Sequence, residues 1–324
     1  MKNINLILFF PVFLISVILP LSASSWLLIW IGLEMNLITF LYLSLMFKNM
    51  FTSESSMKYF LIQAVGSMVL LISFSVSLIT YEEWASPISL FPPLALMLKS
   101  GMAPVHGWVP EIVSKLPSLN ILFFFTFQKL NPLLICFSSW SYFMIWVLIF
   151  NVVVGAIGGL GESSLFKLLV YSSINNMGWM LLCMIESLSL FFIYFIVYSL
   201  LNLMIMSVVK FKNTKWLLQL KSYSSLEKLF IYVNFLSLSG LPPLLGFFSK
   251  WLVIYFLSQN LVILVSLSIF FSVITLFYYL KSVISSMTCY NYSSKWMLKG
   301  TYTYNISVLI FTNLIGVFLL NVIF

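Results

Sequence analysis

The stretch LALMLKSGMAPVHGW, residues 94–108, sets a lysine in an apolar run and follows it with glycine, proline and the only histidine of the chain. A second stretch, LSGLPPLLGFFSKW at 238–251, again joins glycine, proline and lysine inside an apolar run. Proline removes an amide donor and its ring clashes with the preceding turn. Each stretch therefore predicts a helix broken in two, around 101–107 and around 240–246.

The surroundings say what kind of helix is broken. The 324 residues are 62% hydrophobic and 7% charged, which no soluble globular domain matches. Apolar runs long enough to cross a hydrocarbon core of ~30 Å lie near 4–20, 25–46, 57–80, 88–116, 119–139, 141–160, 164–185, 188–209, 226–257, 261–281 and 304–323, eleven in all. The fold class is an all-α polytopic membrane protein of eleven transmembrane helices, helices 4 and 9 being discontinuous. Non-helical backbone at that depth is tolerated only where protein buries it or a wet cavity solvates it. Loops are short except 210–225 and 282–303, so a single domain, 1–324, is expected. Met1 leads through Lys2 directly into an apolar run, with no cleavage site or arginine-rich pattern, so no removed leader is expected.

Net charge is +8, from 16 lysines and 8 glutamates, with neither arginine nor aspartate. The lysines are scattered singly or held in short loops, which suits an anionic membrane surface and excludes a nucleic-acid footprint. Counting alternate connections puts Lys2, Lys48, Lys58, Lys115, Lys167, Lys210, Lys212, Lys215, Lys221, Lys228, Lys281, Lys295 and Lys299 on one side. The other side receives none, but has Glu82, Glu83 and Glu186. By the positive-inside rule the N-terminus is inside and the C-terminus outside. The two broken helices are five spans apart, so they cross in opposite senses, as in an inverted-topology repeat. The copies are about 1–139 and about 141–281, with a C-terminal helix at about 304–323 left over.

Four ionisable groups stand well inside spans: Glu34, Lys99, Lys129 and Lys250. A charge at mid-bilayer costs about 2.5–3.5 kcal/mol or more, so each requires a partner, water or a neutral form. Buried groups of both signs can exchange protons near neutral pH, the property of a proton relay. Lys99 is expected to be solvated by water and by carbonyls freed at its break, and Pro132 to loosen the helix around Lys129. His106 has two open readings, proton transfer and a bond to a freed carbonyl; Lys167, near a span end, reads as a topology charge. Cys136, Cys183 and Cys289 make no metal-binding spacing, and no nucleotide loop or haem-ligand pair is present, so no cofactor and no metal are expected in this chain.

WIGLEMN at 30–36, LKSGMAPVHGWVPE at 98–111, QKLNP at 128–132, GGLGESSLFKLLVYSSINNMGW at 158–179 and LSGLPPLLGFFSKW at 238–251 together resemble the NADH dehydrogenase subunit 2 family, the antiporter-like subunits of respiratory complex I, in its shortened animal form. The resemblance implies a proton-translocating membrane-arm subunit of the mitochondrial inner membrane, N-terminus in the matrix and C-terminus in the intermembrane space. It implies other membrane-arm subunits and lipids, cardiolipin among them, as partners, and NADH, FMN, iron–sulfur clusters and ubiquinone in partner subunits. It also implies roles: Glu34 in the first half-channel, Lys99 its partner, Lys129 the central lysine, Lys250 the lysine toward the next subunit. A subunit of a sodium/proton antiporter is the alternative. Two positions depart from the family's pattern: Asn176 stands where histidine is frequent and cannot carry a proton, and Gly107 replaces a frequent aromatic beside His106.

Overall fold

The computed structural model describes residues 2–47, 49–80, 90–212, 214–259, 261–287 and 313, with side chains from Phe9 onward except at 77–80 and 211. Those residues form twelve α-helices. They are α1 (Lys2–Ser22), α2 (Trp26–Leu45), α3 (Met50–Thr80), α4 (Phe91–Ser100), α5 (Trp108–Val113) and α6 (Ser118–Phe125), then α7 (Phe127–Gly158), α8 (Leu165–Glu186), α9 (Leu188–Lys212), α10 (Ser225–Ser239), α11 (Leu245–Leu257) and α12 (Val262–Met287). The nearest approach to sheet among the described residues is one isolated bridge, Ser164 with Trp216.

Among the described residues six stretches are long and apolar enough to cross a membrane: Trp26–Leu45, Met50–Val76, Ser118–Gly158, Leu165–Glu186, Leu188–Lys210 and Val262–Met287. The difference from eleven has local causes. Spans four and nine are each divided into short halves, α4 with α5 and α10 with α11. Spans five and six run together, marked only by Trp140 at φ −134° and ψ 47°, the first expected span appears as the shorter apolar stretch Phe9–Ser22, and the expected span at 304–323 lies outside the described residues apart from Asn313.

At membrane depth every backbone polar group must be satisfied internally, and a side-chain hydroxyl left unpaired is costly. Serine hydroxyls are paired by bonding the carbonyl three residues back, as Ser55 to Thr52, Ser67 to Ala64 and Ser268 to Val265.

The chain packs as two compact units, Met1–Met144 and Ile145–Phe324. In the second unit α8 is the enclosed element: 89% of its span is buried, against 28% for α12. It is reached by close backbone approach. A Cβ on Gly155 would lie 2.4 Å from the Asn175 amide nitrogen, and one on Gly178 would lie 2.4 Å from Val152 Cγ2. Small residues permit such helix contacts where lipid supplies no hydrophobic drive.

Candidate functional site

Both broken helices stop in the same way. Gly101 and Gly240 adopt left-handed backbone, φ 72° and 88°, which a side chain would oppose. The amides of Met102 and Leu241 then bond back to Met97 and Leu236, each at 3.1 Å, closing a Schellman turn. The chain resumes as α5 at Trp108 and as α11 at Leu245. The Ala103–Pro104 and Pro242–Pro243 peptide bonds are cis.

Lys99, 6% exposed, sits in the last turn of α4. One face of α3 positions it. Gln63 Nε2 donates to the Lys99 carbonyl at 3.0 Å, and Gly66, one turn on, leaves room for the lysine stem, with Lys99 Cγ 3.1 Å from where a Cβ would be. Contrary to the expectation from sequence, no freed carbonyl solvates Lys99: its Nζ is buried without a hydrogen-bond partner, as is Glu34 Oε1. The two groups are near enough to act on one another electrostatically. This leaves a buried amine and a half-buried acid close by, with Lys99 Nζ and Glu34 Oε1 both unpaired.

Lys129, 2% exposed, lies in the first turn of α7 with Nζ 5.2 Å from the Phe125 ring centroid. The helix is loosened before it and not at Pro132, which is inside α7. Thr126, at φ −106° and ψ −88°, separates α6 from α7. Beside Lys129, Gln128 and Asn36 exchange two amide hydrogen bonds of 3.0 and 3.2 Å, and Tyr59 donates to Gln128 Oε1 at 3.3 Å. These neutral groups tie α2 and α3 to the start of α7. Removing one amide strands its partner, costing about 1–3 kcal/mol. Asn36→Leu and Gln128→Leu should each destabilise the chain by about that much, and the double change by clearly less than their sum. Thermal unfolding of the detergent-solubilised assembly checks this, and additive losses would dissolve the pair.

Lys250, 5% exposed, belongs to α11 but serves α10. Its Nζ donates to the carbonyls of Ser239 at 2.7 Å and Leu238 at 3.3 Å, at the negative end of that helix. The Trp179 ring lies under it at 5.6 Å. Gly246 lets α11 come this close, since a Cβ there would fall 1.7 Å from the Ser237 oxygen. Asn176, the departure from the family pattern, accepts a 2.9 Å bond from the Tyr194 hydroxyl.

His106 is partly exposed, and its Nδ1 lies 3.2 Å from the Pro104 carbonyl oxygen inside the first break. A Cβ on Gly107 would meet nothing within 4 Å. A groove of ≈ 600 Å³ lined by Trp26, Trp30, Leu71 and Phe74 among others is almost wholly apolar, and none of the buried lysines lines it.

The loop lysines gather within each unit. In the first, Lys58 lies 3.4 Å from both Glu54 and Glu111, and Lys115 also pairs with Glu54. In the second, Lys167 lies 3.9 Å from Glu162 and Lys212 lies 3.2 Å from Glu227. The residues after α9 fold back on the start of α8, Leu165 N–H donating to Lys215 and Leu217 N–H to Ser163. Tyr223 in that connection is held by Thr214 at 2.6 Å, and burial pushes its phenol up to about 12.

Gln63, Gly66, Asn36, Gln128 and Trp179 were not singled out from the sequence. A polar residue inside an apolar run was the available signal for Gln63, Asn36 and Gln128, but none of them is ionisable.

The NADH:quinone oxidoreductase/Mrp antiporter transmembrane family model matches residues 23–275. The NADH-ubiquinone oxidoreductase chain 2 of Anopheles gambiae is 38% identical over 319 residues, 95% of this chain and 93% of the relative. That of Oryctolagus cuniculus is 32% identical over 320 residues, covering 93% and 92%. In fold, the chain is similar to one in respiratory complex I from Thermus thermophilus with bound aureothin, at TM-score 0.79 and 21% identity over 94% of this chain and 76% of that one. It is also similar to one in the Mrp complex from Dietzia, at TM-score 0.73 and 17% identity over 84% and 58%. By family model and by identity along nearly its whole length, this chain belongs to the NADH:quinone oxidoreductase/Mrp antiporter family, in the group of NADH-ubiquinone oxidoreductase chain 2.

Proposed function

We propose that this chain is a proton-translocating membrane-arm subunit of NADH:ubiquinone oxidoreductase in the mitochondrial inner membrane. The observation that carries the reading is Lys250, a buried amine held by the carbonyl end of a broken helix, because such a site binds and releases a proton without exposing it to lipid. NADH, FMN, iron–sulfur clusters and ubiquinone belong to partner subunits, whose redox chemistry supplies the driving force. The relay comprises Glu34, Lys99, Lys129 and Lys250, with His106 at the first break. Unsatisfied Glu34 and Lys99 beside one another support the first step, and the Gln128 amide pair supports the placement of Lys129.

The architecture proposed for this role is a single antiporter-like domain of eleven spans. Two inverted five-helix repeats, about 1–139 and about 141–281, are followed by a helix at about 304–323. The matching glycine turns at 101 and 240 support the repeat. The loop lysines of each unit support a lysine-rich matrix face, with the N-terminus in the matrix and the C-terminus in the intermembrane space. Other membrane-arm subunits and anionic lipids such as cardiolipin are the partners.

Likeness to the Mrp complex favours one second reading, a subunit of a sodium/proton antiporter. Gentle solubilisation separates them. The chain should co-purify in a very large assembly that oxidises NADH and reduces ubiquinone; recovery in a smaller particle without that activity would sink the complex I reading.

A further inference from the structure

Beside Lys250 lies a small cavity with ≈ 10 Å³ of room for the centre of a water molecule, lined by Asn176, Tyr194, Tyr198, Ser237, Ser249 and Lys250 among others. That is space for one water among enough polar partners to hold it. From the cavity a series of hydroxyls leads away through the second unit. Tyr194 and Tyr198 both line it, and Tyr198 faces the Ser173 and Asn202 side chains. Tyr279 is near Tyr198 and faces Ser172. The Tyr278 and Tyr279 rings lie 4.8 Å apart, and Tyr278 lines a cleft of ≈ 290 Å³ with Glu162, Ser163 and Lys281. That cleft is at the end of the unit where Glu162 meets Lys167.

Three of these hydroxyls, on Tyr198, Tyr278 and Tyr279, are buried without a well-formed hydrogen bond among the described residues. A buried hydroxyl left so is costly. Three in succession between a buried amine and an open cleft have a common explanation in passing protons, since each can accept one proton and release its own with no net change of charge. Asn176 cannot take part in that exchange. By accepting from Tyr194 it fixes that hydroxyl's proton and leaves the Tyr194 oxygen to receive a bond from the cavity water.

We propose that Tyr198, Tyr279 and Tyr278, with one water in the cavity beside Lys250, form the proton path between Lys250 and the Glu162–Lys281 cleft, with Asn176 and Tyr194 as positioning residues for the water. A proton entering at the cleft displaces one along the hydroxyls to the water and onto Lys250 Nζ, or runs the reverse course. This rests on the proton-translocating reading of Lys250.

The test uses the assembled complex in sealed inner-membrane vesicles, with proton uptake measured per NADH oxidised and per assembled complex. Tyr198→Phe with Tyr279→Phe should slow coupled proton uptake by at least about tenfold, as loss of a proton-carrying group does, and should raise the solvent deuterium isotope effect. Tyr232→Phe is the control, its hydroxyl bonded to Ser286 and lining neither the cavity nor the cleft; it should behave as the unaltered chain. If the double variant does not assemble, Tyr198→Phe alone carries the test with the same readouts. Normal uptake in the tyrosine variants with impaired uptake in Lys250→Ala would overturn the path and leave the function standing. Normal uptake in Lys250→Ala as well would overturn both. An equal loss in Tyr232→Phe would assign the effect to helix packing and overturn the path.

Discussion

Gly246→Val is expected to leave almost no assembled chain. Any Cβ at this position falls 1.7 Å from the Ser237 carbonyl oxygen and 2.6 Å from its carbon. The obstacle is backbone in α10, which no rotamer change can move aside. Ordinary overpacking costs about 1–3 kcal/mol because side chains give way; here α11 must separate from α10, so the cost should exceed that range. Separation would also lift Lys250 off the Ser239 and Leu238 carbonyls, leaving a buried amine unpaired. The measurement is the amount of chain in the intact assembly on a native gel. Gly161→Ala, where a Cβ meets nothing within 4 Å, should assemble normally. Normal assembly of Gly246→Val would mean that α10 and α11 do not pack as described.

Lys129→Met should have the opposite profile, with normal assembly and proton transfer reduced to near the limit of detection. Methionine keeps much of the side-chain length and suits the surroundings of the Phe125 ring, and it removes the cost of placing an ammonium group where only 2% of the residue is exposed. It cannot accept a proton. The proton-to-electron ratio in vesicles, normalised to assembled complex, reads the effect. Unchanged coupling would remove Lys129 from the relay and leave it a structural charge.

The breaks could be read in advance because glycine and proline announce them, and the lysines because a charge in an apolar run has no cheap explanation. Thr126 and Trp140 gave no such notice: neither is glycine or proline, yet both leave the helical region. The partners of Lys99 and Gln128 were equally silent, because Gln63 is 36 residues from Lys99 and Asn36 is 92 from Gln128. The misplaced solvation of Lys99 has a geometric reason. A helical Cβ tilts toward the N-terminus of its own helix, so Lys99 leans away from the carbonyls that α4 frees at its end. Lys250 reaches such carbonyls because it comes from a different helix, α11, and approaches the end of α10 from outside.

The division of the fourth span also bears on how the chain is made. The halves α4 and α5 have 10 and 6 residues, roughly 15 and 9 Å at about 1.5 Å per residue, so neither can partition into lipid as a lone span. During synthesis the pair gains a stable place only when a neighbour is already present to receive it. The neighbour shown is α3, whose Gln63 takes up the Lys99 carbonyl and whose Gly66 accepts the lysine stem. Because α3 precedes α4 in the chain, the receiving surface leaves the ribosome before the segment that cannot insert alone, and biogenesis can follow chain order without holding Lys99 bare in the bilayer.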